Sequence, residues 1–488
     1  MTIIVLSIVF LLKNFKIEMQ ILHVSAECYP MAKAGGLADV VGALPKYQNR
    51  IGHFAQVVMP MYLTNYLQDN EWEVVHKGAI PFGGSNLEFT VIKETSSALG
   101  FNLYCIDIYG LLDREKIYGY DDDNQRFLAF QLAVVEWLSK WQQKPDVVHV
   151  HDYHAGLIPF FMRHCYDYRN LSNIRTVLTI HNAQYQGWMD WTFTKFFPAW
   201  DNWKAGLLEW NSQINPLAAA IKCADKVNTV SPTYMKELMY NANGLEPLFE
   251  YEKGKCSGII NGIDFEVWNP ETDSLITDNF NIENIELKEN NKINLCKDFG
   301  FDEKLPLIIF IGRLVGEKAA DLLSEAISRA FEQTDRKFNF LMLGSGEFYI
   351  EQQLKSIHEK WFGYYHSRFE YNEKLSHQMY AGADFLLMPS RVEPCGLNQL
   401  YALRYGTIPI VRRTGGLNDT VVDMGDNGYG ICFNNASTDD IVFSIHRALH
   451  LYQNKSLVNE VRKKMMTINN SWEKSAQDYI DLYHSIYR

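Results

Sequence analysis

The sequence lacks the cysteine pairs that mark a zinc ribbon or a disulfide framework. Its eight cysteines are scattered, and no two of them stand at C-x-x-C spacing. This pattern is typical of reduced thiols in a cytoplasmic protein. We therefore expect a cytoplasmic protein whose fold depends on its hydrophobic core.

The sequence also lacks an excess of basic residues. Lysine and arginine number 46 against 58 aspartates and glutamates, which gives a net charge of −12. Nucleic acids and anionic membranes are bound through basic patches, so neither is an expected partner. A small basic pocket for a phosphate ligand remains compatible with this charge.

The apolar segment at the N-terminus is too short to cross a bilayer. It spans residues 3–12, whereas a membrane helix needs about 20 apolar residues. No basic region precedes it and no small-residue cleavage site follows it, as a secretory signal requires. Because a good first strand begins just after Met19, we interpret residues 1–18 as an extension outside the fold. A membrane anchor or signal is the alternative.

What the sequence does contain is an alternation of short apolar strands with helical segments. Its 488 residues indicate two or three domains, and 47% hydrophobic residues supply ample core. Such alternation predicts parallel sheets. The predicted strands are 20–25, 55–59, 101–107, 146–150, 176–180, 226–230, 257–260, 306–311, 338–343, 384–388, 407–411 and 430–433. The predicted helices include 124–142, 154–168, 318–332, 348–357, 374–382 and 439–453.

These elements group into two similar α/β domains. A polar stretch near residue 254 precedes a new apolar strand, so we predict domains at residues 19–254 and 255–470. Residues 64–125 are less regular and indicate an insertion over the first sheet. Residues 471–488 are expected to form a C-terminal helix that can cross back to the first domain.

The segment 390–397 connects a buried strand to a helix in the second domain. In open α/β sheets, ligands bind outside the carboxyl ends of the strands, and a helix that starts there offers backbone N–H groups. Pro394 suits entry into a helix, Gly396 permits close approach of a ligand, and Glu393 adds a carboxylate. A plain connection with a solvated glutamate is the alternative.

A lysine and two glycines follow the first predicted strand. Lys33 stands beside Gly35 and Gly36, and adjacent glycines next to a cation can cradle a phosphate. The spacing fits neither a dinucleotide fingerprint nor a Walker loop. An ordinary tight turn is the alternative.

Histidines and an aspartate end two further strands of the first domain. His149, His151 and Asp152 alternate along an extended stretch and cannot all share one face, which argues against a metal site. Asp152 is placed to accept a hydrogen bond from a ligand hydroxyl. His181 ends the next strand, where it either contacts a ligand or has a structural role.

The second domain places two cations after a strand and a glycine turn. Arg313 and Lys318 stand five residues apart at a helix start, which suits a diphosphate. A solvated charge pair is the alternative. Glycine-rich turns at 344–346 and 414–416 follow two more strands. Two facing α/β domains would place all these groups in one cleft, as a nucleotide sugar and a second substrate require.

Together these motifs resemble those of the bacterial glycogen synthase and plant starch synthase family of glycosyltransferases. The similarity runs from Met19 to about Tyr487 and rests on the motifs at 33–37, 151–156, 181–187, 261–264, 393–397 and 412–417. The resemblance implies an α/β fold of the GT-B class, with two Rossmann-like doubly wound domains facing a central cleft. The first domain would take the acceptor and the second the nucleotide sugar.

The resemblance also implies an activity. The enzyme would transfer α-glucose from ADP-glucose to the non-reducing 4-hydroxyl of an α-1,4-glucan such as glycogen, with retention. No metal or other cofactor is expected.

Residue roles follow from the resemblance where the motifs match. Arg313 and Lys318 would bind the diphosphate, and Glu393 would hold a glucose hydroxyl. His181 would lie by the anomeric carbon, and Asp152 would bind the glucose. The implied substrate-binding set, in which Tyr371 lies near the base, is Lys33, Gly35, Gly36, Asp39, Asn261, Gly346, Tyr371, Cys395, Gly396, Leu397, Thr414 and Gly415.

One motif departs from the commonest pattern of the family. Many members have Gln-Lys-Gly where this chain has Glu317, Lys318 and Ala319. A carboxylate beside a diphosphate is unfavourable unless it points away, so UDP-glucose remains a second candidate donor. Three competing hypotheses are a pyridoxal-phosphate-dependent phosphorylase, a disaccharide-forming glucosyltransferase and a non-catalytic glucan-binding scaffold.

Overall fold

Two large sheets, one mostly and one wholly parallel, organise residues 19–487, the part of the chain that the computed structural model describes. The chain divides into two units, each built on one of these sheets. Residues 19–230, 235–259 and 472–487 form the first unit, and residues 231–234 and 260–471 form the second. No helix in the described range is long and apolar enough to cross a membrane. The apolar segment 3–12 lies outside that range.

The strands of the first unit are β1 (Gln20–Val24), β2 (Phe54–Pro60), β3 (Trp72–Phe82), β4 (Ser85–Glu94), β5 (Asn102–Asp107), β6 (Val147–His151), β7 (Arg175–Ile180), β8 (Glu209–Trp210), β9 (Gln213–Ile214), β10 (Lys226–Thr229) and β11 (Cys256–Gly258). The strands of the second unit are β12 (Leu307–Ile311), β13 (Asn339–Leu343), β14 (Tyr365–Arg368), β15 (Phe385–Met388), β16 (Ile408–Arg412) and β17 (Ile431–Phe433).

The α-helices, in chain order, are α1 (Gly36–Arg50), α2 (Asn65–Asp69), α3 (Asp123–Lys140), α4 (Ile158–His164), α5 (Pro216–Cys223), α6 (Pro232–Leu238), α7 (Glu246–Glu252), α8 (Lys288–Phe299), α9 (Leu323–Thr334), α10 (Phe348–Ser356), α11 (Glu373–Gly382), α12 (Asn398–Arg404), α13 (Gly415–Thr420), α14 (Thr438–Tyr452), α15 (Lys455–Met466) and α16 (Trp472–His484).

The first sheet is doubly wound about β1. Its strand order is β11-β10-β7-β6-β1-β2-β5-β4-β3, and the strands from β11 to β5 are parallel. From β1 the chain passes to β2, then to β3 at the edge of the sheet, and returns through β4 to β5 beside β2 before it adds β6 on the other side of β1. The strand order therefore reverses between β1 and β6, which is where open α/β sheets bind ligands. The insertion predicted at 64–125 contains the antiparallel hairpin β3–β4, which extends the sheet at its edge.

The second sheet has the strand order of a dinucleotide-binding α/β domain. Its order is β14-β13-β12-β15-β16-β17, and every neighbouring pair is parallel. Strand β12 is apolar throughout and largely buried, as expected of a strand covered on both faces. The reversal lies between β12 and β15. The predicted doubly wound α/β architecture is confirmed in both units.

Three predicted elements differ from the structure. The helix predicted at 318–332 begins only at Leu323 as α9, because the left-handed conformation of Ala319 separates two 3₁₀ turns, Gly316–Lys318 and Ala320–Leu322, that precede it. The strand predicted at 257–260 is β11, which pairs with β10 in the first sheet rather than opening the second domain. Parallel pairing along the free edge of β10 outweighs the polar stretch that precedes β11 in sequence. The helix predicted at 154–168 is interrupted: a 3₁₀ turn at Tyr153–Ala155 precedes α4, which has a proline in its first turn and ends at His164.

Helix α16 packs against α1 and completes the first unit. Trp472, Tyr479 and Tyr483 are buried there beside Val40 and Leu44. The aromatic rings supply apolar area, and the tyrosine hydroxyls reach into the layer beneath the sheet, where buried polar groups require partners. The residues of α16 are thus part of the first core.

The second unit contains a buried ion cluster centred on Asp384. Lys292 Nζ lies 2.8 Å and Arg462 Nη2 lies 2.6 Å from its carboxylate, and the Leu307 N–H donates to it at 2.9 Å. Burial acts to raise the pKa of Asp384, but the two cations hold it below its ordinary value. The cluster ties α8 and α15 to the start of β15.

Replacing Asp384 by alanine should strongly destabilise the second unit. Two buried cations would lose their counter-charge, and breaking a buried pair in this way costs about 3–5 kcal/mol. The urea midpoint followed by circular dichroism should fall. As a control, Glu332→Ala removes an exposed pair with Lys360 and should leave the midpoint unchanged. Equal midpoints for the two variants would contradict this account.

Candidate active site

A lysine–glutamate pair lies where the strand order of the second sheet reverses. Lys318 follows β12 and Glu393 follows β15. Lys318 Nζ lies 2.7 and 2.6 Å from the two carboxylate oxygens of Glu393. Ser390 Oγ donates a further hydrogen bond of 2.8 Å to Glu393 Oε2. Two residues that the sequence predicted for this unit's catalytic set therefore meet in the fold.

A second ion pair fixes the two loops that carry Lys318 and Glu393. The guanidinium of Arg391 contacts both carboxylate oxygens of Asp321, at 2.6 and 2.8 Å. The backbone N–H of Arg391 donates to the Glu317 carbonyl at 2.8 Å. Residues on both sides of Lys318 are thus tied to the residue two positions before Glu393. The geometry of the Lys318–Glu393 pair is set by its neighbours as well as by its own attraction.

Gly415 and Gly416 are required by the loop that carries Glu393. A Cβ atom would lie 2.0 Å from the Glu393 carbonyl oxygen at Gly415, and 2.1 Å from the Cys395 carbonyl oxygen at Gly416. Gly415 also has φ +42°, in the region that favours glycine. Thr414 is buried at the start of α13 beside them. This backbone packing explains both glycines without a ligand.

The turn from Glu393 into α12 is shaped by Gly396. Its φ is +75°, and a Cβ there would lie 2.5 Å from Gln399 Oε1. Gln399 Nε2 in turn donates to the carbonyls of Cys395 and Gly396, at 3.0 Å each. Leu397 then leads into α12. Gln399 therefore satisfies both carbonyls of the turn and fixes its shape.

Cys395 and Asn261 are buried next to each other at this turn. Burial raises the pKa of the Cys395 thiol to about 12, and the backbone N–H of Asn261 contacts its sulfur. The thiol is therefore protonated at neutral pH and is not a nucleophile. Asn261 Oδ1 is buried without a hydrogen-bond partner among the described residues. A buried polar oxygen of this kind suits a ligand donor.

The departure at Glu317 and Ala319 has visible consequences. Glu317 Oε2 lies 3.3 Å from Arg313 Nη2, so the carboxylate pairs with one of the two predicted diphosphate cations. Ala319 has φ +52° and ψ +31°, the left-handed conformation that glycine adopts most easily. Both differences from the family pattern thus bear directly on the loop that carries Lys318.

Gly346 and Tyr371 lie at the same edge of the second sheet. A Cβ at Gly346 would meet the Leu314 carbonyl oxygen at 2.3 Å, so the loops after β12 and β13 are in contact. Tyr371 follows β14 and its side chain is exposed. All predicted residues that follow strands of this unit therefore lie at the carboxyl edge, and Lys318 and Glu393 touch there through their charged groups.

Asp152 lies at the reversal point of the first sheet, at the end of β6, and its backbone is strained. Its φ of +55° with ψ −173° is unusual for a residue with a side chain, and such strain costs about 1–3 kcal/mol. Its N–H donates to the Thr179 carbonyl at 3.0 Å, and its carboxylate accepts from the His181 N–H at 2.7 Å. Burial raises the pKa of Asp152 to about 7.

His181 is held through both its backbone and its ring. The ring atom Nε2 lies 3.0 Å from Nδ1 of His151. Burial lowers the pKa of His181 to about 3, so the ring is neutral at physiological pH. Asp152 and His181, both predicted for the catalytic set, are thus joined to each other by the fold.

The turn at Lys33 differs from the expected phosphate cradle. The N–H groups of Ala34 and Gly35 donate to Glu27 Oε2, at 2.6 and 3.0 Å, so a protein carboxylate already uses them. Lys33 Nζ pairs with Asp39 Oδ1 at 2.6 Å. Burial acts to raise the pKa of Asp39, and Lys33 opposes this.

The glycines of that turn nevertheless leave space. A Cβ at Gly35 or Gly36 would meet no atom of the described protein within 4 Å. Neither residue has a positive φ. Protein packing therefore does not require glycine at these positions, in contrast to Gly415 and Gly416, and a ligand can approach the backbone closely.

Three buried histidines cluster next to Asp152 and His181 in the first unit. One ring nitrogen from each of His23, His149 and His151 could bind a metal ion, and these three nitrogens lie within 4.8 Å of one another. Each of their ring nitrogens is within hydrogen-bond distance of a protein group. The cluster is therefore built as a hydrogen-bond network of rings.

Some residues of these sites were not predicted from the sequence. Glu27 follows β1 and also accepts from the Tyr118 hydroxyl at 2.7 Å. Ser390 follows β15, and the Arg391–Asp321 pair joins two loops. The rule that selected Asp152, a polar residue just after a strand, also applies to Glu27 and Ser390. No feature of the sequence indicated that Arg391 would pair with Asp321.

Comparison with known proteins identifies the family to which the chain belongs. Residues 20–251 match the family model "Starch synthase catalytic domain", and residues 291–465 match "Glycosyl transferases group 1". A glycogen synthase of Flavobacterium johnsoniae is 51% identical over 469 residues, covering 96% of this chain and 99% of that protein. The chain belongs to the glycogen synthase and starch synthase family. A glycogen synthase of Bacillus cereus is 37% identical over 492 residues, and the match covers 96% of this chain and 100% of that protein.

A solved structure of this family extends the match to three dimensions. The catalytic domain of starch synthase IV from Arabidopsis thaliana, bound to ADP and acarbose, superposes with a TM-score of 0.86 at 31% identity. The match covers 96% of this chain and 100% of that one. The predicted GT-B class of fold is confirmed, and the protein is a glycosyltransferase enzyme.

Substitution of Gly415 by alanine should abolish most glucosyl transfer. The added methyl group would overlap the Glu393 carbonyl oxygen and displace the loop that positions Glu393, so we expect at least about a tenfold loss of kcat. Radiolabelled glucose transfer measures this. Gly254→Ala serves as the control, because a Cβ there meets nothing within 4 Å. Wild-type activity in Gly415→Ala would refute the supporting role of this glycine.

Proposed function

We propose that the protein transfers α-D-glucose from ADP-glucose to the 4-hydroxyl at the non-reducing end of an α-1,4-glucan such as glycogen, with retention. The observation that carries this proposal is the Lys318–Glu393 pair at the reversal point of the second sheet. The high identity to glycogen synthases supports it, as does the similarity to a starch synthase solved with ADP and acarbose. The reaction would take place in the cytoplasm.

The second unit would bind the nucleotide sugar. Breaking the bond between glucose and diphosphate builds negative charge on the leaving phosphate, and positioned cations stabilise such charge. Arg313 and Lys318 are the cations for this task. Tyr371, exposed after β14, would contact the base.

Glu393 would hold the glucose. Lys318 and Ser390 orient its carboxylate, which can then accept a hydrogen bond from a sugar hydroxyl. The N–H groups at Cys395 and Gly396 would add donors for the same sugar. Asn261 Oδ1 offers a further acceptor at this turn.

The first unit would contribute Asp152, His181 and the turn at Lys33. Asp152 would bind the glucose, and the neutral ring of His181 would lie by the anomeric carbon. The open space at Gly35 and Gly36 suits close approach of the donor, with Lys33 beside it. We propose that no metal or cofactor takes part, because lysine and arginine supply the positive charge that the diphosphate needs.

For the stereochemistry we propose attack from the face of the leaving group. As the bond from C1 to the phosphate oxygen breaks, the acceptor O4 forms its bond to C1 and its proton passes to the leaving phosphate. A carboxylate nucleophile would be the other route to retention. Glu393 is engaged by Lys318 and Ser390, and Asp152 by the His181 N–H, so neither is arranged as a free nucleophile. A covalent glucosyl adduct on either residue would contradict this route.

Transfer of radiolabelled glucose to glycogen should occur from ADP-glucose and be lost in Lys318→Ala and Glu393→Ala. We expect losses of about 100-fold or more, because each removes a charge aimed at the reacting groups. Lys360→Ala, which changes an exposed lysine, is the control.

The same assay separates the competing functions. Preference for UDP-glucose would keep the reaction class and change the donor. Glycogen binding without transfer from either donor would indicate a scaffold. A phosphorylase would carry the absorbance of pyridoxal phosphate in the pure protein.

Substitution of Glu317 by glutamine should strengthen donor binding. Glu317 pairs with Arg313 at 3.3 Å and competes with a diphosphate for that cation. Removing the charge should lower the KM for the donor by about twofold to fivefold, the size of a partly exposed ion pair. Glu325→Gln, which alters a similar pair with Arg329 on α9, is the matched control. An unchanged KM would show that Glu317 already turns away from the donor.

A further inference from the structure

A continuous chain of hydrogen bonds joins the C-terminal helix to His181. Gln48 Nε2 donates to the Tyr483 hydroxyl at 3.2 Å, and Gln48 Oε1 lies 2.8 Å from His23 Nε2. His23 Nδ1 lies 3.1 Å from His151 Nε2, and His151 Nδ1 lies 3.0 Å from His181 Nε2. The first four members of this chain are completely buried. The glucosyltransfer reaction assigned above gives no role to the residues before His181.

The direction of every bond in this chain follows from the orientation of the Gln48 amide, whose oxygen faces His23 and whose nitrogen faces Tyr483. The amide oxygen can only accept, so His23 must carry its proton on Nε2. His23 Nδ1 is then an acceptor, and His151 must donate to it from Nε2. By the same step His181 donates from Nε2 to His151 Nδ1. Nδ1 of His181 therefore carries no proton, and its lone pair can accept a hydrogen bond.

The chain has this single direction only because its rings are neutral. Burial lowers the pKa of His23 to about 4 and that of His181 to about 3, and it lowers the pKa of His151 well below the ordinary value. A neutral imidazole has one N–H, so no ring can change its tautomer unless its neighbours change too. The three rings must keep or reverse their protons together.

We propose that Gln48, anchored by Tyr483 of α16, is a positioning residue that sets the tautomer of His181. The chain presents His181 Nδ1 as a hydrogen-bond acceptor at the reversal point of the first sheet. The effect on catalysis rests on the proposed function, in which His181 lies by the reacting sugar. The effect on the tautomer does not, because it follows from the network alone.

Methionine at position 48 tests the direction of the chain. It fills a similar volume but offers His23 no comparable acceptor, so the protons are free to reverse and His181 can carry its proton on Nδ1. Glutamate at position 48 probes the same direction, because its buried carboxylate favours protonated His23, and that ring would donate from Nδ1 to His151 and so reverse the chain. Tyr483→Phe is a second probe, since it removes the anchor of the Gln48 amide.

Tyr479→Phe is the matched control. Tyr479 lies on the same helix and is equally buried, and its hydroxyl accepts from Asn228 Nδ2 at 3.1 Å. This bond is outside the chain from Gln48 to His181. The variant removes a buried hydroxyl of the same kind while leaving the four-step chain intact.

The experiment measures tautomers and kinetics on the full-length protein. Long-range ¹H–¹⁵N correlation spectra of ¹⁵N-histidine-labelled protein distinguish Nδ1–H from Nε2–H rings, and the signals lost in His181→Asn identify His181. Steady-state kcat and donor KM are measured for the same variants. Thermal midpoints identify any variant that fails to fold.

We expect the Nε2–H tautomer for His181 in the wild-type protein and in Tyr479→Phe. Gln48→Met should shift it toward Nδ1–H and lower kcat by about tenfold, with donor KM within about twofold, because a misplaced proton acts on the reacting state. Gln48→Glu should also shift His181 toward Nδ1–H, because protonated His23 donates from both of its ring nitrogens. Tyr483→Phe should give a smaller shift in the same direction.

Two results would overturn the proposal: an Nδ1–H tautomer of His181 in the wild-type protein, or an unchanged tautomer and kcat in Gln48→Met. The proposed function fails in a different way. If the wild-type protein transferred no glucose yet showed the expected tautomers, the assigned reaction would be wrong and the control of His181 by Gln48 would stand.

Discussion

The contact between Lys318 and Glu393 depends on the parallel pairing of β12 with β15. Parallel neighbours end at the same edge of a sheet, so the loops that follow them begin side by side. Here the two loops are also tied by the Arg391–Asp321 ion pair and by backbone hydrogen bonds. A cation and a carboxylate that are 75 residues apart in sequence thereby come within 2.6 Å. The buried cluster around Asp384 fixes the other end of β15.

The first unit uses the same topology with different chemistry. Its reversal point carries a strained aspartate, Asp152, and a neutral histidine, His181, each holding the other through the backbone N–H of His181. Beneath them lies a buried polar layer that reaches α16. Buried polar groups are unfavourable unless each has a partner. The layer therefore favours one arrangement of protons and side chains, and it makes α16 part of the site.

Glycines show why some of the site could be predicted from the sequence and some could not. Their positions after strands indicated ligand-binding turns throughout. In the structure, Gly415 and Gly416 are glycines because the backbone of the Glu393 loop touches them, whereas Gly35 and Gly36 face open space. The sequence pattern is the same in both cases, since a missing side chain permits either a protein contact or a ligand contact. Only the atoms that surround each glycine in the folded protein distinguish the two.

The sequence by itself determined the fold class, the order of the strands along the chain and the residues that follow them. These features depend on local apolar patterns and on motifs that are contiguous in sequence. Tertiary structure alone decided that Glu27 occupies the turn at Lys33, that Glu317 pairs with Arg313, and that Gln48 connects α16 to His181. Each of these contacts joins groups that have several possible partners, either in distant segments or within one loop. Such choices depend on distances that the packing of the complete unit sets.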